Sequence, residues 1–560
     1  MQRQNIYIGV AWPYVNGDIH VGHLAGYLLP ADIFARFHRY IDNNVLMVSG
    51  SDCHGTPITV EAEKRNKSPQ EIVNLYHPKF KKLFNLYGIS FDLYTKTTTE
   101  NHKKVVQDIF IRLAKKRLIF KKKSKQFFSP QENRFLPDRY VEGTCPYCDA
   151  PDARGDQCDQ CGRVLNPEEL INPKSRLTNS PVELKETEHY YFDLPKLKGF
   201  LKNYVAKVGP SWRHWVYQET LGWLRRGLEP RCITRDLDWG IPIPIEQLPR
   251  DLKIKHAENK RIYVWFEAVI GYLSASIEWA KNTGRWQDFW YQSKARHYYF
   301  MGKDNLVFHT LFWPAQLYGA YGKQIHLPDF PVINHFLDLE GQAFSKSRGI
   351  TVDSYYIGEK YGVDPVRFYL TWIMPEEADA SFSWSGFIET NNNVLIATFG
   401  NFLNRVLKLS QELNDFSAED LKETTIKSIE NQVDQAFQFL SRCQFKNYAQ
   451  ALVGLADWGN KYLNQTTPWT EERNSSQFKK IMTNALLVVL AINLAAEPLI
   501  PKSNQKLSQM LGIKIDHWPK KGVGKYLTDF LSQIKITNPT PLFTKIDPNL
   551  ASKEKAKLNS

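Results

Sequence analysis

The sequence is poor in cysteine, with seven among 560 residues, and four of the seven stand in two Cys-x-x-Cys pairs. That arrangement does not predict the disulfide framework of a small secreted protein. The amino terminus also lacks the apolar segment and the small-residue cleavage site of a signal peptide. No apolar run reaches the ~20 residues of a membrane span, and the longest, residues 485–500, predicts a buried helix. We therefore expect a cytoplasmic protein with no membrane partner.

Two patterns that would indicate other architectures are also missing. No G-x-G-x-x-G follows the first apolar segment, which argues against a dinucleotide-binding unit, and no internal repeat is visible. What is present is an ordinary globular composition, 42% apolar and 23% charged, in a chain long enough for three or four domains. The net charge of +13 and the pI of about 9.1 are compatible with a polyanionic partner.

The amino-terminal segment predicts a strand, a turn and a helix. Residues 6–11 predict a buried strand, and the apolar residues of 24–40 recur at helical spacing. Between them, WPYVNGDIHVGH places His20 and His23 where the helix begins. Free backbone N–H groups and the positive end of the helix dipole favour phosphate at such a position. Taken alone, the His-x-x-His pair favours a simple helix cap, so a phosphate site depends on motifs further along the chain.

Asp52 ends a second apolar segment, residues 45–52, which also predicts a strand. Open α/β sheets bind their ligands at the carboxyl ends of parallel strands. Asp52 is therefore either a ligand-binding acid or the cap of a turn.

The same α/β pattern returns in the second half of the chain. Residues 261–267 predict a strand, followed by a helix over 268–281 that carries Tyr272. Residues 297–302 predict another strand, which leads to a helix with His309. We expect these elements to complete the sheet begun at the amino terminus, with an insert between the two halves.

Four cysteines of that insert predict a metal site. They form two Cys-x-x-Cys pairs separated by nine residues: Cys145, Cys148, Cys158 and Cys161. Two such hairpins bring four thiolates together tetrahedrally, which suits Zn²⁺. Because four thiolates leave no open coordination position, we predict one structural zinc ion.

The last third of the chain predicts a loop, a helical bundle and a tail. Small residues around Lys346 and Arg348 predict a flexible loop that could move over bound phosphates, although such a sequence is also common on surfaces. Helical periodicity dominates residues 391–511 and predicts a bundle of several helices. The polar, lysine-rich residues 551–560 predict a frayed tail.

Taken together, these motifs resemble those of a known family. HVGH (20–23) and AFSKS (343–347) resemble the HIGH and KMSKS motifs of class I aminoacyl-tRNA synthetases, in the same order. AWPYVNGDIHVGH, SGSDCHGTP, YVWFEAVIGY, FMGKDNLVFHTLFWPA and FSKSRG resemble methionyl-tRNA synthetases, as does the four-cysteine knuckle. The resemblance covers residues 5–547, nearly the whole chain.

The resemblance implies an α/β fold: a class I synthetase Rossmann-like parallel sheet, interrupted by a zinc-binding connective domain and followed by an all-α anticodon-binding helical bundle. The implied parts are the first half of the catalytic domain (1–115), the connective domain (116–228, with its zinc knuckle at 145–161), the second half (229–330), the KMSKS-type loop and stem-contact region (331–390), the anticodon-binding domain (391–547) and the polar tail (548–560).

The implied activity is methionine–tRNA ligation. The carboxylate of L-methionine attacks the α-phosphate of ATP, which brings Mg²⁺, and gives methionyl-adenylate and pyrophosphate. The methionyl group then passes to the 3′-terminal adenosine of tRNA(Met). No covalent enzyme nucleophile is needed, so catalysis depends on alignment and on stabilisation of phosphate charge.

The resemblance also implies the site residues. His20, His23 and Lys346 are the implied catalytic residues. The remaining groups are the ATP site (His20, Gly22, His23, Ser345, Lys346, Ser347), the methionine site (Ala11, Trp12, Tyr14, Asp52, Trp265, Tyr272, His309), the anticodon-reading residues (Asn401, Arg405, Trp469) and the zinc ligands (Cys145, Cys148, Cys158, Cys161).

The sequence departs from the family pattern at two points. Ala343 stands where the first lysine of KMSKS is expected, and Arg348 is the nearest cation that could compensate. The carboxyl-terminal dimerisation domain of many relatives is not evident, so a monomer is expected. Two alternatives stay open. One is a synthetase for leucine, isoleucine, valine or cysteine, although the insert is short for an editing domain. The other is a catalytically weakened, synthetase-derived tRNA-binding protein.

Overall fold

The computed structural model describes residues 3–136, 140–154, 158, 160–161, 165, 169–283, 285–291, 295–342, 351–473 and 475–557. Strands and helices alternate in the first part of the chain, as predicted. The elements are β1 (Asn5–Val10), α1 (Val21–His23), α2 (Leu29–Tyr40), β2 (Asn44–Ser51), α3 (Thr56–Lys64), α4 (Pro69–Tyr87), β3 (Leu93–Lys96) and α5 (Glu100–Lys115). A π-helix, Leu24–Leu28, joins α1 to α2.

An insert follows, as predicted, and it contains two sheets of its own. Its elements are β4 (Ile119–Ser129), β5 (Arg134–Phe135), β6 (Val141–Thr144), β7 (Ala153–Arg154), β8 (Ile171–Ser175), β9 (Glu183–Phe192), α6 (Lys198–Val208), α7 (His214–Arg226) and β10 (Arg231–Cys232). The strands form one sheet in the order β10-β9-β4-β5 and another in the order β7-β6-β8. Cys145 and Cys158 lie in a small hydrophobic core of their own beside the second sheet.

The chain then returns to the first sheet. Its next elements are β11 (Thr234–Asp236), β12 (Lys260–Ile262), α8 (Val264–Glu267), α9 (Gly271–Thr283), α10 (Gln287–Trp290), β13 (Ala295–Gly302), α11 (Trp313–Tyr321) and β14 (Phe330–Asn334). Strands from both parts form one parallel sheet in the order β14-β13-β1-β2-β3. The near-continuous burial of its central strands fits a parallel sheet covered on both faces. Since β1 and β13 are parallel neighbours, both halves end at the same edge.

The strand predicted for residues 261–267 is wrong. Only Lys260–Ile262 is extended, as β12 paired antiparallel with β11, and Val264–Glu267 is helical. Aromatic and β-branched residues favour a strand in isolation, but tertiary context overrides that preference. Here the Glu267 N–H closes a helical turn by donating to Tyr263 O at 3.2 Å, and the Glu267 side chain is completely buried.

Helices dominate the remainder of the chain, as predicted. After β14 come β15 (Leu337–Leu339), α12 (Ser354–Tyr361), α13 (Val363–Trp372), β16 (Ala380–Phe382), α14 (Trp384–Glu389), a π-helix (Thr390–Gly400), α15 (Asn401–Ser410), α16 (Glu423–Ser441), α17 (Phe445–Thr466), α18 (Ser476–Ala496), α19 (Pro501–Leu511) and α20 (Val523–Thr528). Among the described helices, α18 alone has the length and apolar composition of a membrane span, and 89% of its apolar window is buried inside the protein. A core helix of a bundle has the same properties.

Residues 551–557 differ from the prediction of a frayed tail, and residues 558–560 lie outside the described chain. Leu550–Ala556 forms a helix, α21. Glu554 on this helix is buried and accepts hydrogen bonds from Tyr356, Lys360 and Tyr361 of α12. The polar composition of the tail therefore reflects buried pairing as well as exposure to solvent.

Candidate active site

The largest set of predicted site residues lines one cavity of about 570 Å³. It lies at the carboxyl edge of the parallel sheet, where open α/β sheets bind ligands. Ten predicted residues form part of its wall: Ala11, Trp12, Tyr14, His20, Gly22, His23, Asp52, Trp265, Tyr272 and His309. A larger cleft of about 1020 Å³ between α3, α4 and the insert contains none of the predicted residues.

His20 and His23 cap the helix that begins at the cavity. His20 Nδ1 accepts a hydrogen bond from the Gly22 N–H at 3.2 Å, and His23 Nδ1 accepts one from the His20 N–H at 3.2 Å. This reciprocal pair is a capping box made of two histidines. Because Nδ1 accepts in both rings, a neutral ring carries its proton on Nε2. The cap and a phosphate-binding role are therefore compatible, since the cap fixes the tautomer that a phosphate oxygen needs.

Two π-helices shape the cavity, and a proline explains each of them. Leu24–Leu28 precedes Leu29-Pro30, and Phe308–Phe312 precedes Trp313-Pro314. Proline has no N–H and its ring crowds the carbonyl four residues earlier, so the turn before it widens. In the first case that carbonyl belongs to Gly26, and it accepts instead from Asn334 Nδ2 at 3.1 Å. The second turn carries His309 to the cavity wall.

The protons of His309 and Tyr272 can be assigned from their partners. His309 Nδ1 lies 2.9 Å from Asn305 O, which can only accept, so Nδ1 carries a proton. Burial lowers the pKa of His309 to about 4, which leaves the ring neutral at physiological pH. His309 Nε2 then accepts from Tyr272 Oη at 2.7 Å. The Tyr272–His309 pair is therefore uncharged and its facing polar atoms are paired, which suits an apolar ligand group.

Aromatic rings form the walls of the same end. Trp265 stacks on Phe308 with ring centroids 4.6 Å apart, and Tyr14 meets Trp265 edge to face at 6.3 Å. The Trp12 ring is wedged between glycines of the two sheet halves, since a Cβ would lie 2.4 Å from it at Gly50 and 2.7 Å from it at Gly271. Any larger residue at either glycine would displace the Trp12 ring.

Asp52 is the buried acid of the cavity, with 3% of its surface exposed. A bridge to Tyr14 holds its backbone beside the end of β1. Within the described chain, its carboxylate accepts one hydrogen bond, from the His54 N–H at 3.4 Å. Burial, and after it the like charge of Glu267, raises the pKa of Asp52 well above its usual value. A cation beside it would stabilise the ionised form, so the position suits an ammonium group.

The predicted loop residues Ser345, Lys346 and Ser347, with Ala343 and Arg348, lie outside the described residues. The chain on both sides of them is described. Before the loop, Gln342 pairs with Leu339, and after it, Val352 O accepts from the Val21 N–H at 3.4 Å. Leu337 and Asp338 line the cavity and Asp353 bridges to His20, so both flanks lie close to the cavity.

The four cysteines come together in the insert. Their Sγ atoms all lie within 4.8 Å of one another, at 3.9 Å for Cys145–Cys161 and 3.6 Å for Cys148–Cys158. A tetrahedral site with Zn–S bonds of ~2.3 Å has edges of ~3.8 Å. The donor set and its spacing therefore fit one zinc ion.

Two of the three predicted anticodon-reading residues are in contact. Arg405 Cζ lies over the Trp469 ring at 5.1 Å from its centroid, and Trp469 is 52% exposed. Asn401, also exposed, lies one helical turn before Arg405 on α15. The bundle thus presents an aromatic face, a guanidinium and an amide on its surface.

Comparisons with known proteins agree with this geometry. Residues 6–407 match the family model described as tRNA synthetases class I (M), and residues 415–559 match the anticodon binding domain of methionyl tRNA ligase.

The chain belongs to the methionyl-tRNA synthetase family.

Individual members of the methionyl-tRNA synthetase family match over nearly their whole length. The chain is 41% identical to the methionine–tRNA ligase of Roseiflexus sp. (strain RS-1) and 40% identical to that of Thermomicrobium roseum, covering 99% of both chains in each case. The structure of a Mycobacterium tuberculosis methionyl-tRNA synthetase in complex with methionyl-adenylate matches with a TM-score of 0.74 over 96% of this chain and 99% of that one. At 21% identity, that likeness concerns the fold.

Several residues that line the cavity of this methionyl-tRNA synthetase family member were not predicted from the sequence. They come from β15 and from the segments that follow β13, β14 and α13: Gly302, Asp304, Asn305, His335, Phe336, Leu337, Asp338 and Asp379. Beside them, Lys303 Nζ pairs with Asp379 at 2.7 Å. The available signal was the polar run that follows β13 at the carboxyl edge of the sheet. Asp379, distant in sequence, had none.

Proposed function

We propose that the protein is a methionine–tRNA ligase that activates L-methionine with ATP and then charges tRNA(Met). One observation carries the proposal: an aromatic pocket with a buried acid opens, within one cavity, onto a helix start that bears two histidines. The pocket suits an apolar side chain with an α-ammonium group, and the helix start suits phosphate. The names of the relatives, and the methionyl-adenylate held by the Mycobacterium tuberculosis protein, support the same assignment.

The methionine site is proposed to lie between the two sheet halves. A thioether is polarizable and apolar, so aromatic walls suit it. Asp52 receives the ammonium group, and the neutral Tyr272–His309 pair faces the side chain. The proposed site consists of Ala11, Trp12, Tyr14, Asp52, Trp265, Tyr272 and His309.

The ATP site is proposed to lie at the helix start and to be completed by residues of the KMSKS-type motif. His20 and His23 donate hydrogen bonds to phosphate oxygens, Gly22 lets the phosphates approach the backbone, and Mg²⁺ enters with ATP. In the loop, Lys346 neutralises charge that develops toward pyrophosphate, with Ser345 and Ser347 beside it. These assignments follow the family resemblance and the position of the described flanks.

Two chemical steps follow from this arrangement. In the first, a methionine carboxylate oxygen attacks the α-phosphorus of ATP, the bond to the bridging oxygen breaks, and pyrophosphate leaves. In the second, a ribose hydroxyl of the tRNA 3′-terminal adenosine attacks the carbonyl carbon of the adenylate, with release of AMP and a proton. Alignment of the reactants and stabilisation of phosphate charge account for catalysis.

The bundle is proposed to read the anticodon of tRNA(Met). Asn401 and Arg405 offer hydrogen bonds to base edges, and Trp469 offers a stacking surface. RNA bases splayed from a loop are recognised in this way. The open half of the Trp469 surface and the Arg405 guanidinium above it support the assignment.

The four cysteines are proposed to hold one structural Zn²⁺. The ion would supply cross-linking of the two hairpins and no chemistry at the cavity. The thiolates of Cys145, Cys148, Cys158 and Cys161 would coordinate it, with Cys145 and Cys158 in a small buried core and Cys161 exposed.

ATP–pyrophosphate exchange with each amino acid tests the function. We expect exchange with methionine to be far more efficient than with leucine. A second candidate, the weakened tRNA-binding protein, is favoured by Ala343 in the loop. Absence of methionine-dependent exchange with retained tRNA binding would establish that candidate and refute the ligase.

A further inference from the structure

A buried carboxylate behind the methionine pocket takes part in none of the steps above. Glu267, the last residue of α8, is completely buried. His54 Nδ1 donates to Glu267 Oε1 at 2.7 Å, and His102 Nε2 donates to Glu267 Oε2 at 3.0 Å. Both histidines come from the first sheet half and Glu267 comes from the second. One side chain thus fastens the two halves together directly behind the cavity.

Glu267 is ionised in this arrangement. Burial alone would raise its pKa, but the two imidazoles outweigh burial and lower the pKa below its usual value. An ionised carboxylate only accepts hydrogen bonds, so both ring nitrogens that face it carry protons. Removing either partner from a buried charge is strongly unfavourable. The three side chains therefore hold one another in a single arrangement.

Glu267, His54 and His102 form a hydrogen-bonded array with two arms, one through each histidine. The first arm, through His54, leads to Asp52. The backbone N–H of His54 donates to Asp52 Oδ1 at 3.4 Å, and the ring of the same residue is held by Glu267. A shift of His54 would move the hydrogen-bond donor of the acid that faces the cavity. Main-chain hydrogen bonds hold the Asp52 backbone, but within the described chain the Asp52 carboxylate accepts from no donor other than the His54 N–H.

The second arm leads to Trp12. The His102 ring lies 5.9 Å from the Trp12 ring, and His102 Nδ1 lies 2.8 Å from Ser274 Oγ. Ser274 Oγ in turn donates to Gly271 O at 3.1 Å, and Gly271 is one of the two glycines that hold Trp12. The array therefore ends at the wall of the pocket adjoining Asp52.

We propose that Glu267 is a positioning residue for methionine. Through His54 it places Asp52, and through His102 it places Trp12. In the sequence, Trp265 stands two residues before Glu267 and Tyr272 five residues after it. One carboxylate therefore positions pocket residues of both sheet halves. The inference rests on the proposed function, and it adds a residue to which the family resemblance assigned no role.

Glu267→Gln and Glu267→Asp distinguish the effect of the carboxylate charge from the effect of the side-chain length. Glutamine keeps the shape but removes the charge and one acceptor oxygen, whereas aspartate keeps the charge and shortens the side chain. Loss of a hydrogen bond to a charged group predicts a methionine KM about 10- to 100-fold higher for Glu267→Gln, with the ATP KM within about twofold. We expect Glu267→Asp to restore part of the loss. Ser274→Ala, in the second arm between His102 and Gly271, should raise the methionine KM less than Glu267→Gln does.

Asp329→Asn is the matched control. Asp329 is also a buried carboxylate that accepts from a histidine ring, His326 Nε2 at 2.7 Å, but it stands at the opposite edge of the same sheet, where β14 begins. It should lower the unfolding temperature without changing the methionine KM. Kinetics are measured below the unfolding midpoint of every variant, so folding defects do not enter.

Exchange kinetics and calorimetric methionine binding together decide the outcome. An unchanged methionine KM in Glu267→Gln, an equal rise in both KM values, or an equal effect of Asp329→Asn would overturn the inference. If the wild-type protein binds methionine but shows no exchange, the proposed function fails, and the methionine affinities of the same variants still decide the role of Glu267. If the wild-type protein does not bind methionine, both fail.

Discussion

Replacing Trp469 by alanine should separate amino-acid activation from tRNA charging. Because the side chain is 52% exposed and contacts Arg405, its removal should lower the free energy of unfolding by about 1–2 kcal/mol and leave the protein folded. Arg405 lies over the ring at 5.1 Å from its centroid, and the exposed half of the side chain is available to a base. Stacking of one base on an aromatic side chain contributes ~1–3 kcal/mol. The variant should therefore lose about 5- to 150-fold in kcat/KM for tRNA.

Two assays on one preparation test this prediction. Methionine-dependent ATP–pyrophosphate exchange should match that of the wild type, and aminoacylation of tRNA(Met) should show the loss. Tyr291→Ala serves as control, since Tyr291 is another exposed aromatic residue, 42% exposed, located after α10 and outside the bundle. An equal loss of exchange and charging, or an equal effect of Tyr291→Ala, would refute the assignment of the bundle.

Three further predictions concern the cavity and the insert. Asp52→Asn should raise the methionine KM and leave the ATP KM unchanged. Burial and Glu267 raise the pKa of Asp52, and the substrate ammonium group binds the ionised form of Asp52. Wild-type kcat/KM for methionine should therefore fall as the pH drops through that raised pKa. The asparagine variant should lack this decrease at low pH. Tyr272→Phe leaves His309 Nε2 without its donor and should lower the free energy of unfolding by ~1–3 kcal/mol in urea denaturation; an unchanged value would contradict the hydrogen-bond assignment. Cys158→Ser should reduce zinc from about one ion per chain, the value for one four-thiolate site, to near zero by elemental analysis, and retained zinc would contradict a four-cysteine site.

Local sequence patterns predicted the elements that depend on local physics. The strand before His20, the strand before Asp52 and the buried helix α18 could all be predicted from apolar spacing. The Cys-x-x-Cys pairs predicted a cluster whose sulfur atoms do converge. In each case the residues that decide the structure are neighbours in the sequence.

The errors arise where distant residues decide. Residues 264–267 have strand-like composition, yet Glu267 becomes helical because His54 and His102, over 160 positions away, hold its carboxylate. Glu554 has a tail-like context but is buried against α12. The role of Asp379 on the cavity wall depends in the same way on the folded chain. No periodicity within a segment encodes such partners.

The docked α21 has a practical consequence for anyone who handles the protein. Lys555 Nζ pairs with Glu340 at 3.2 Å, three residues before Ala343, and Glu554 joins the same helix to α12. A purification tag or a fluorescent label at the carboxyl terminus would therefore follow a helix that is docked on α12 and Glu340. Such a fusion would be a poor neutral handle, because any strain on it would act on the contacts that α21 makes with α12 and Glu340.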